Sequence, residues 1–225
     1  TLFAPEGVYV SAERKLFVAD TGNNRVLVWN SLPTSNGVSA DTVLCQTDFF
    51  GNEPNLGTGV ASAASCAGPT DVTRAAGGLW LADSRNNRVL RFDAESLDSG
   101  VAATLVLGQR NFADRLANAG QEHATATSFS NPVRVEYDGR NLYVVDRGNN
   151  RVLIWNPVPT QDYTPANGIL GQETFDTSAA AVNTEGLHSP FGVAVHPREF
   201  NAARVWISDR DRDRIIVFDH VARAF

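Results

Sequence analysis

Four aspartates in the chain are each followed, five residues later, by an arginine. The pairs are Asp20 and Arg25, Asp83 and Arg88, Asp146 and Arg151, and Asp209 and Arg214. A carboxylate at such a position can bind a metal ion or act as an acid. It can also accept bonds from the N–H groups of a turn and pair with the guanidinium. Successive pairs are 63 residues apart, and a catalytic group is needed once per site rather than once per repeat. The recurrence therefore favours a structural role.

Two further blocks keep nearly the same step. One contains a glutamine followed three residues later by phenylalanine, and the other is a proline before a short apolar run. The glutamines are Gln46, Gln109 and Gln172, and the prolines are Pro5, Pro69, Pro132 and Pro190. Each unit contains short β-branched and aromatic runs bounded by Gly, Asn, Asp and Pro, which is typical of strands. The two middle runs are apolar at consecutive positions, which predicts strands covered on both faces. We also expect each glutamine to bond backbone across units.

The blocks P-x-G-V, L-[FWY]-V-A-D-x-x-N-N-R and V-L-G-Q-x-x-F resemble NHL repeats of the bacterial type. The resemblance covers essentially the whole chain and implies an all-β fold, a β-propeller of four-stranded antiparallel blades. Three blades are expected to be complete, and the fourth is expected to lack its outer strand. The blade boundaries are placed at about 1–63, 64–126, 127–184 and 185–225.

The resemblance leaves the number of blades open. NHL propellers usually have six blades, which at this period needs about 380 residues. The chain is therefore expected to be a fragment of a six-bladed ring, an arc completed by another chain, or a closed ring of four. Because an arc exposes two apolar blade faces, self-association or a longer parent chain is predicted.

The residues that vary inside the repeated frame are the better functional candidates. The turns after the aspartates contain Arg85, Arg147, Arg210 and Arg212. Turns of this kind project on one face of a propeller, so the arginines could bind an anionic group or an acidic partner. The alternative is a set of solvated turn residues paired with nearby aspartates.

Cys45 and Cys66 are the two cysteines, and their spacing matches no zinc motif. Both lie on the connection between the first and second units, where Cys45 takes the place of Gly108 and Gly171. We predict a disulfide, with two buried thiols as the alternative. A disulfide indicates an oxidising compartment. Together with the bacterial resemblance it predicts a secreted or cell-envelope protein.

The chain carries a formal net charge of −6 and a pI of about 5.2. This acidic balance argues against nucleic-acid binding, which needs a basic face, and RNA binding is the least favoured hypothesis. No run of 18 apolar residues is present, so no membrane span is expected.

The functional prediction is a non-catalytic scaffold that binds a protein or another extracellular ligand, with no cofactor or metal. The alternative is a metal-dependent propeller enzyme of lyase or lactonase type that uses the central channel. Its candidate side chains are few. Asp71 and Glu136 are the only acidic residues expected on inner strands, and His196 is expected just after one.

Overall fold

The computed structural model describes residues 1–180, 183–197 and 203–221, which form four antiparallel sheets of consecutive strands. The first sheet contains β1 (Gly7–Val10), β2 (Leu16–Asp20), β3 (Arg25–Trp29) and β4 (Thr42–Leu44). The second contains β5 (Pro69–Ala75), β6 (Gly78–Asp83), β7 (Arg88–Asp93) and β8 (Leu105–Leu107). The third contains β9 (Pro132–Tyr137), β10 (Leu142–Asp146), β11 (Arg151–Trp155) and β12 (Gly168–Leu170). The fourth contains β13 (Pro190–Pro197), β14 (Ala203–Asp209) and β15 (Arg214–Val221). We call these sheets blades one to four.

The second and third strands of every blade are joined by one turn of 3-10 helix and one left-handed residue. The helices are Thr21–Asn23, Ser84–Asn86, Arg147–Asn149 and Arg210–Arg212; two more, Pro54–Gly57 and Ala117–Gly120, follow the outer strands of the first two blades. The left-handed residue is Asn24, Asn87, Asn150 or Asp213, with φ between 50° and 54°. Asn and Asp tolerate this conformation better than other residues with a side chain.

The blades pack face to face and their first strands lie next to one another in chain order. Phe17 and Val28 of blade one meet Leu81 of blade two in the first interface. Trp80 packs with Val144 in the second, and Tyr143 with Val205 in the third. The prediction of an all-β chain of propeller blades, three with four strands and one with three, is confirmed.

The outward faces of blades one and four carry exposed apolar side chains. Val8 and Val10 are exposed on blade one, and Ile215 and Val217 on blade four. The second strands of blades two and three, β6 and β10, are instead buried at every position, as the consecutive apolar runs predicted. No helix in the described ranges is long and apolar enough to cross a membrane.

Candidate functional site

The repeated aspartate fastens the segment that enters its own blade. Oδ1 of Asp83 accepts the N–H of Ala67 at 2.7 Å, and Oδ2 accepts Nδ2 of Asn86 and Nε of Arg88 at 2.8 and 2.7 Å. The equivalent backbone donors are Phe3 to Asp20, Ser130 to Asp146 and His188 to Asp209. The expectation that the carboxylate accepts N–H groups of the turn holds only for the side-chain amide of the turn asparagine and was wrong for the turn backbone. The N–H comes from the chain just before the proline, because the carboxylate points across the blade toward that segment.

The repeated arginine uses the rest of its guanidinium on backbone carbonyls. Arg88 donates from Nη1 to the carbonyl of Phe112 and from Nη2 to those of Ser62 and Ser65. Arg25 and Arg151 make the same bonds to Phe49 and Phe175. The Arg88 and Asp83 side chains are both fully buried. Because both side chains are buried and bonded to each other and to the backbone, they are not accessible to a ligand.

The left-handed asparagine joins one blade to the next. Oδ1 of Asn87 accepts the N–H of Asn131, which precedes the first strand of blade three, at 2.7 Å. The same bond links Asn24 to Gly68 and Asn150 to Ser189. The glutamines, by contrast, bond within their own unit: Gln109 donates to Asn87 and Leu116 carbonyls. The expectation that they bond across blades was wrong.

The four turns define one surface, which we call the hairpin face. Arg85 holds the second position of its turn and Arg147 and Arg210 the first, while Arg212 stands where the other units have an asparagine. Arg85 is exposed and lies over Gly68, where an added Cβ would be 3.0 Å from its Cδ. Arg147 is half-buried.

The arginines differ in their partners. Nε of Arg210 bonds Oδ1 of Asp211 at 3.2 Å, and this bond lowers the pKa of the Asp211 carboxyl. In the described part of the chain, no carboxylate pairs with Arg85 or Arg147. The hairpin face therefore presents two guanidinium groups that can still receive an anion.

Polar side chains also lie on β5 and β9, the first strands of blades two and three. Oδ1 and Oδ2 of Asp71 accept Nη1 of Arg134 at 3.2 Å and the N–H of Val135 at 3.0 Å. The Arg134 guanidinium lies 5.2 Å from the centre of the Phe191 ring. This row crosses three blades, and sequence reasoning missed Arg134. The available signal was its position, 63 residues after Asp71.

Glu136 lies one strand away from Asp71 and is half-buried. Burial raises the pKa of its carboxyl, and the nearby Asp71 and Asp138 charges add to this rise. His196 lies inside β13 rather than after it. Among the described residues, no group of three or more His, Cys, Asp or Glu side chains is placed to hold a metal ion.

Cys45 and Cys66 form a disulfide between the outer edge of blade one and the segment entering blade two, with Cα atoms 5.2 Å apart. The equivalent residues at the junctions between blades two and three and between blades three and four are also in close contact. A Cβ added to Gly108 would lie 2.1 Å from Phe129, and one added to Gly171 would lie 2.5 Å from Leu187. The disulfide thus takes the place of a glycine packed against a large apolar residue.

Residues 4–29 match the family model of the NHL repeat. This match shows an NHL repeat in blade one, and the 63-residue step brings the same residue types into the other units, which form β-propeller blades of the same kind. No curated protein matches the sequence significantly.

Solved structures resemble the chain at the level of the fold. Glutaminyl cyclase of Myxococcus xanthus is 14% identical with a TM-score of 0.50, and the match covers 97% of this chain and 73% of that one. A putative 6-phosphogluconolactonase of Bacteroides uniformis is 14% identical (TM-score 0.49; 98% and 55% covered). The periplasmic gluconolactonase of Pseudomonas aeruginosa is 18% identical (TM-score 0.46; 98% and 55% covered). The chain thus spans about half the length of these two lactonases.

Proposed function

We propose that this protein is a non-catalytic NHL-repeat scaffold that binds an acidic protein, or another anionic extracellular ligand, at its hairpin face. The observation that carries the proposal is the contrast between two sets of arginines. In blades one to three the repeated arginines are buried and hydrogen-bonded inside the blades. Arg85 and Arg147 instead lie in the turns, exposed and half-buried respectively, with no carboxylate partner among the described residues.

The physical basis is local charge on an acidic protein. A guanidinium presents a rigid fork of N–H donors that matches a carboxylate or phosphate. A cluster of such groups also attracts anionic partners over a distance of about 8–10 Å at physiological salt. Arg210 lies on the same face and can exchange Asp211 for an external carboxylate, because both side chains are exposed.

The test uses a fluorescein-labelled hexaglutamate peptide as the probe. Replacing Arg85, Arg147 and Arg210 together by alanine is expected to weaken binding by about tenfold or more, since each tenfold corresponds to only about 1.4 kcal/mol. The wild-type affinity is also expected to fall as salt is added.

A matched control removes three cations from the opposite end of the blades. Arg14, Lys15 and Arg140 lie in the turns between the first and second strands, away from the hairpin face. Their triple alanine variant has the same net charge as the test variant and is expected to bind the peptide like the wild type. Equal affinities for all three proteins, or equal losses in both variants, would reject the proposal.

A metal-dependent enzyme is the second candidate. The observation in its favour is Glu136, a half-buried carboxyl on an inner strand with no ion pair in the described ranges. Against it, the neighbouring Asp71 carboxylate already binds Arg134 and Val135. Calorimetric titration with Ca²⁺ and Zn²⁺ tests it, and binding abolished by Glu136→Gln would support the enzyme over the scaffold.

We further propose a secreted or cell-envelope location. The Cys45–Cys66 disulfide supports it, because such bonds persist in oxidising compartments. Free-thiol titration of the denatured protein, isolated without reductant, is expected to find no reactive thiol. Two titratable thiols would count against this location.

A further inference from the structure

Unit two departs from the other two complete units at three positions at the hairpin end of its blade, and each departure is an arginine. The arginines are Arg85, Arg110 and Arg115. At the same positions, units one and three have no cation: their residues are Gly22, Thr47 and Asn52, and Gly148, Glu173 and Ser178. Because the shared frame of a repeat serves packing, residues that depart from it are the better functional candidates.

Asn87, which ends the turn of blade two, anchors the two arginines that follow the outer strand. Its Nδ2 donates to the carbonyl of Arg115 at 3.0 Å, and its own carbonyl accepts Nε2 of Gln109, the residue before Arg110, at 2.9 Å. Arg85 belongs to the same turn and lies two residues before Asn87. The backbone positions of all three arginines are therefore set by one turn.

Blades one and three have the same backbone anchors without the charges. In blade one, Asn24 donates to the carbonyl of Asn52 and accepts from Gln46. Blade three repeats both bonds around Asn150. The fold therefore needs these bonds but not the arginine side chains, which leaves the arginine side chains of blade two free for another role.

The three arginine side chains are exposed, and none of them forms an ion pair within the described part of the chain. Blade two has a neighbouring blade on each side, so this exposure is that of a blade inside the packed array. An acidic neighbour in the same stretch is Asp114, whose Oδ2 accepts Nδ2 of Asn111 at 3.0 Å. The three guanidinium groups outnumber this carboxylate, so the four groups together are positive.

The arginines are spread across the end of the blade. Arg85 lies over Gly68, whose N–H donates to Oδ1 of Asn24 in blade one at 2.8 Å. Arg115 lies instead in the segment that leads to blade three. Cations on three separate segments match separate carboxylates along an extended chain better than one compact anion such as a phosphate.

We propose that Arg85, Arg110 and Arg115 form one binding site for an extended acidic peptide segment of a partner protein. This inference rests on the proposed function and narrows it, because it centres the acidic partner on blade two and adds Arg110 and Arg115 to the binding residues. Each guanidinium receives one carboxylate of the segment. The turn already holds the three backbones in place, so only the side chains must be ordered on binding.

The test compares two double variants in their binding of fluorescein-labelled hexaglutamate. Arg110→Ala with Arg115→Ala is expected to weaken binding by about tenfold, because two charge-assisted contacts are lost. The backbone carbonyl of residue 115 remains, so the bond from Asn87 is kept. The control, Lys15→Ala with Arg140→Ala, removes the same charge from the opposite end of the blades and is expected to bind like the wild type.

A second comparison tests the nature of the ligand. Diglutamate cannot reach all three cations at once, so it is expected to bind the wild type more weakly than hexaglutamate does. A sulfated heparin oligosaccharide represents the alternative class of polyanion. Binding of this oligosaccharide by the wild type without binding of hexaglutamate would show that the site does not take a peptide, and would overturn the inference.

The results separate this inference from the proposed function. If the Arg110 and Arg115 variant binds hexaglutamate like the wild type, while the variant lacking Arg85, Arg147 and Arg210 loses binding, the site on blade two is rejected and the hairpin face is retained. If neither polyanion binds the wild type, both proposals fail. An equal loss in the control variant would show that net charge alone sets the affinity, and this result also rejects the site.

Discussion

Nε of Arg88 donates to Oδ2 of Asp83 over 2.7 Å, and neither side chain reaches solvent. The same pair in blade four, Arg214 and Asp209, has the same geometry at 2.8 Å, but the arginine is partly solvated. One motif therefore exists in two environments within a single chain. Comparing the two pairs therefore distinguishes the effect of burial on stability from the effect of the ion pair itself.

Replacing Arg88 by alanine should lower the free energy of unfolding by about 3–5 kcal/mol, because Asp83 is then left as an uncompensated buried charge. The same change at Arg214 should cost less, since water reaches that pair. Urea unfolding of both variants measures the difference. An Arg214→Ala variant as destabilised as Arg88→Ala would show that burial does not set the cost.

Replacing Asn87 should loosen the junction between blades two and three. Asn87→Gly keeps the left-handed backbone but removes the acceptor for the Asn131 N–H, at a cost of about 1–3 kcal/mol. Asn87→Ala should cost about 1–2 kcal/mol more, because alanine disfavours that conformation. Hydrogen exchange at the Asn131 amide should accelerate in both variants, and an unchanged exchange rate would contradict the inter-blade role.

A disulfide holds the junction between blades one and two, where the next junction packs a glycine against phenylalanine. Cys45→Ser with Cys66→Ser should lower the free energy of unfolding by about 3 kcal/mol, since a loop of about 20 residues is no longer closed. Cys45→Gly with Cys66→Phe copies the pair Gly108 and Phe129 and should recover part of that loss. Equal unfolding midpoints for the two double variants would show that positions 45 and 66 do not pack like Gly108 and Phe129.

Glu136 should make stability depend on pH. Its pKa is raised above the ordinary 4.5 by burial, so the folded state holds the proton more tightly than the unfolded chain does. Its contribution is complete below the unfolded pKa and is lost as the pH rises through the folded pKa. Glu136→Gln cannot ionise, so its free energy of unfolding relative to wild type should increase as the pH rises above the ordinary pKa of 4.5. A constant or falling difference would contradict the burial of a proton-binding group.

The repeat made the blades and their strands predictable, because four copies of one pattern report the same packing. The five-residue spacing also predicted that Asp83 pairs with Arg88. It could not show that Asn87 bonds Asn131, or that Asp83 accepts from Ala67, because these contacts join segments distant in sequence. The pairing of Asp71 with Arg134 likewise depends on two blades meeting.

The most direct test of the account follows the guanidinium Nε–H resonances of the arginines during titration with hexaglutamate. We predict that the signals of Arg85, Arg147 and Arg210 shift and saturate together, while those of Arg88 and Arg151 remain in place because Asp83 and Asp146 hold them. Shifts at Arg88 and Arg151, or at Arg14 and Arg140 on the opposite end, would contradict the assignment of binding to the hairpin face.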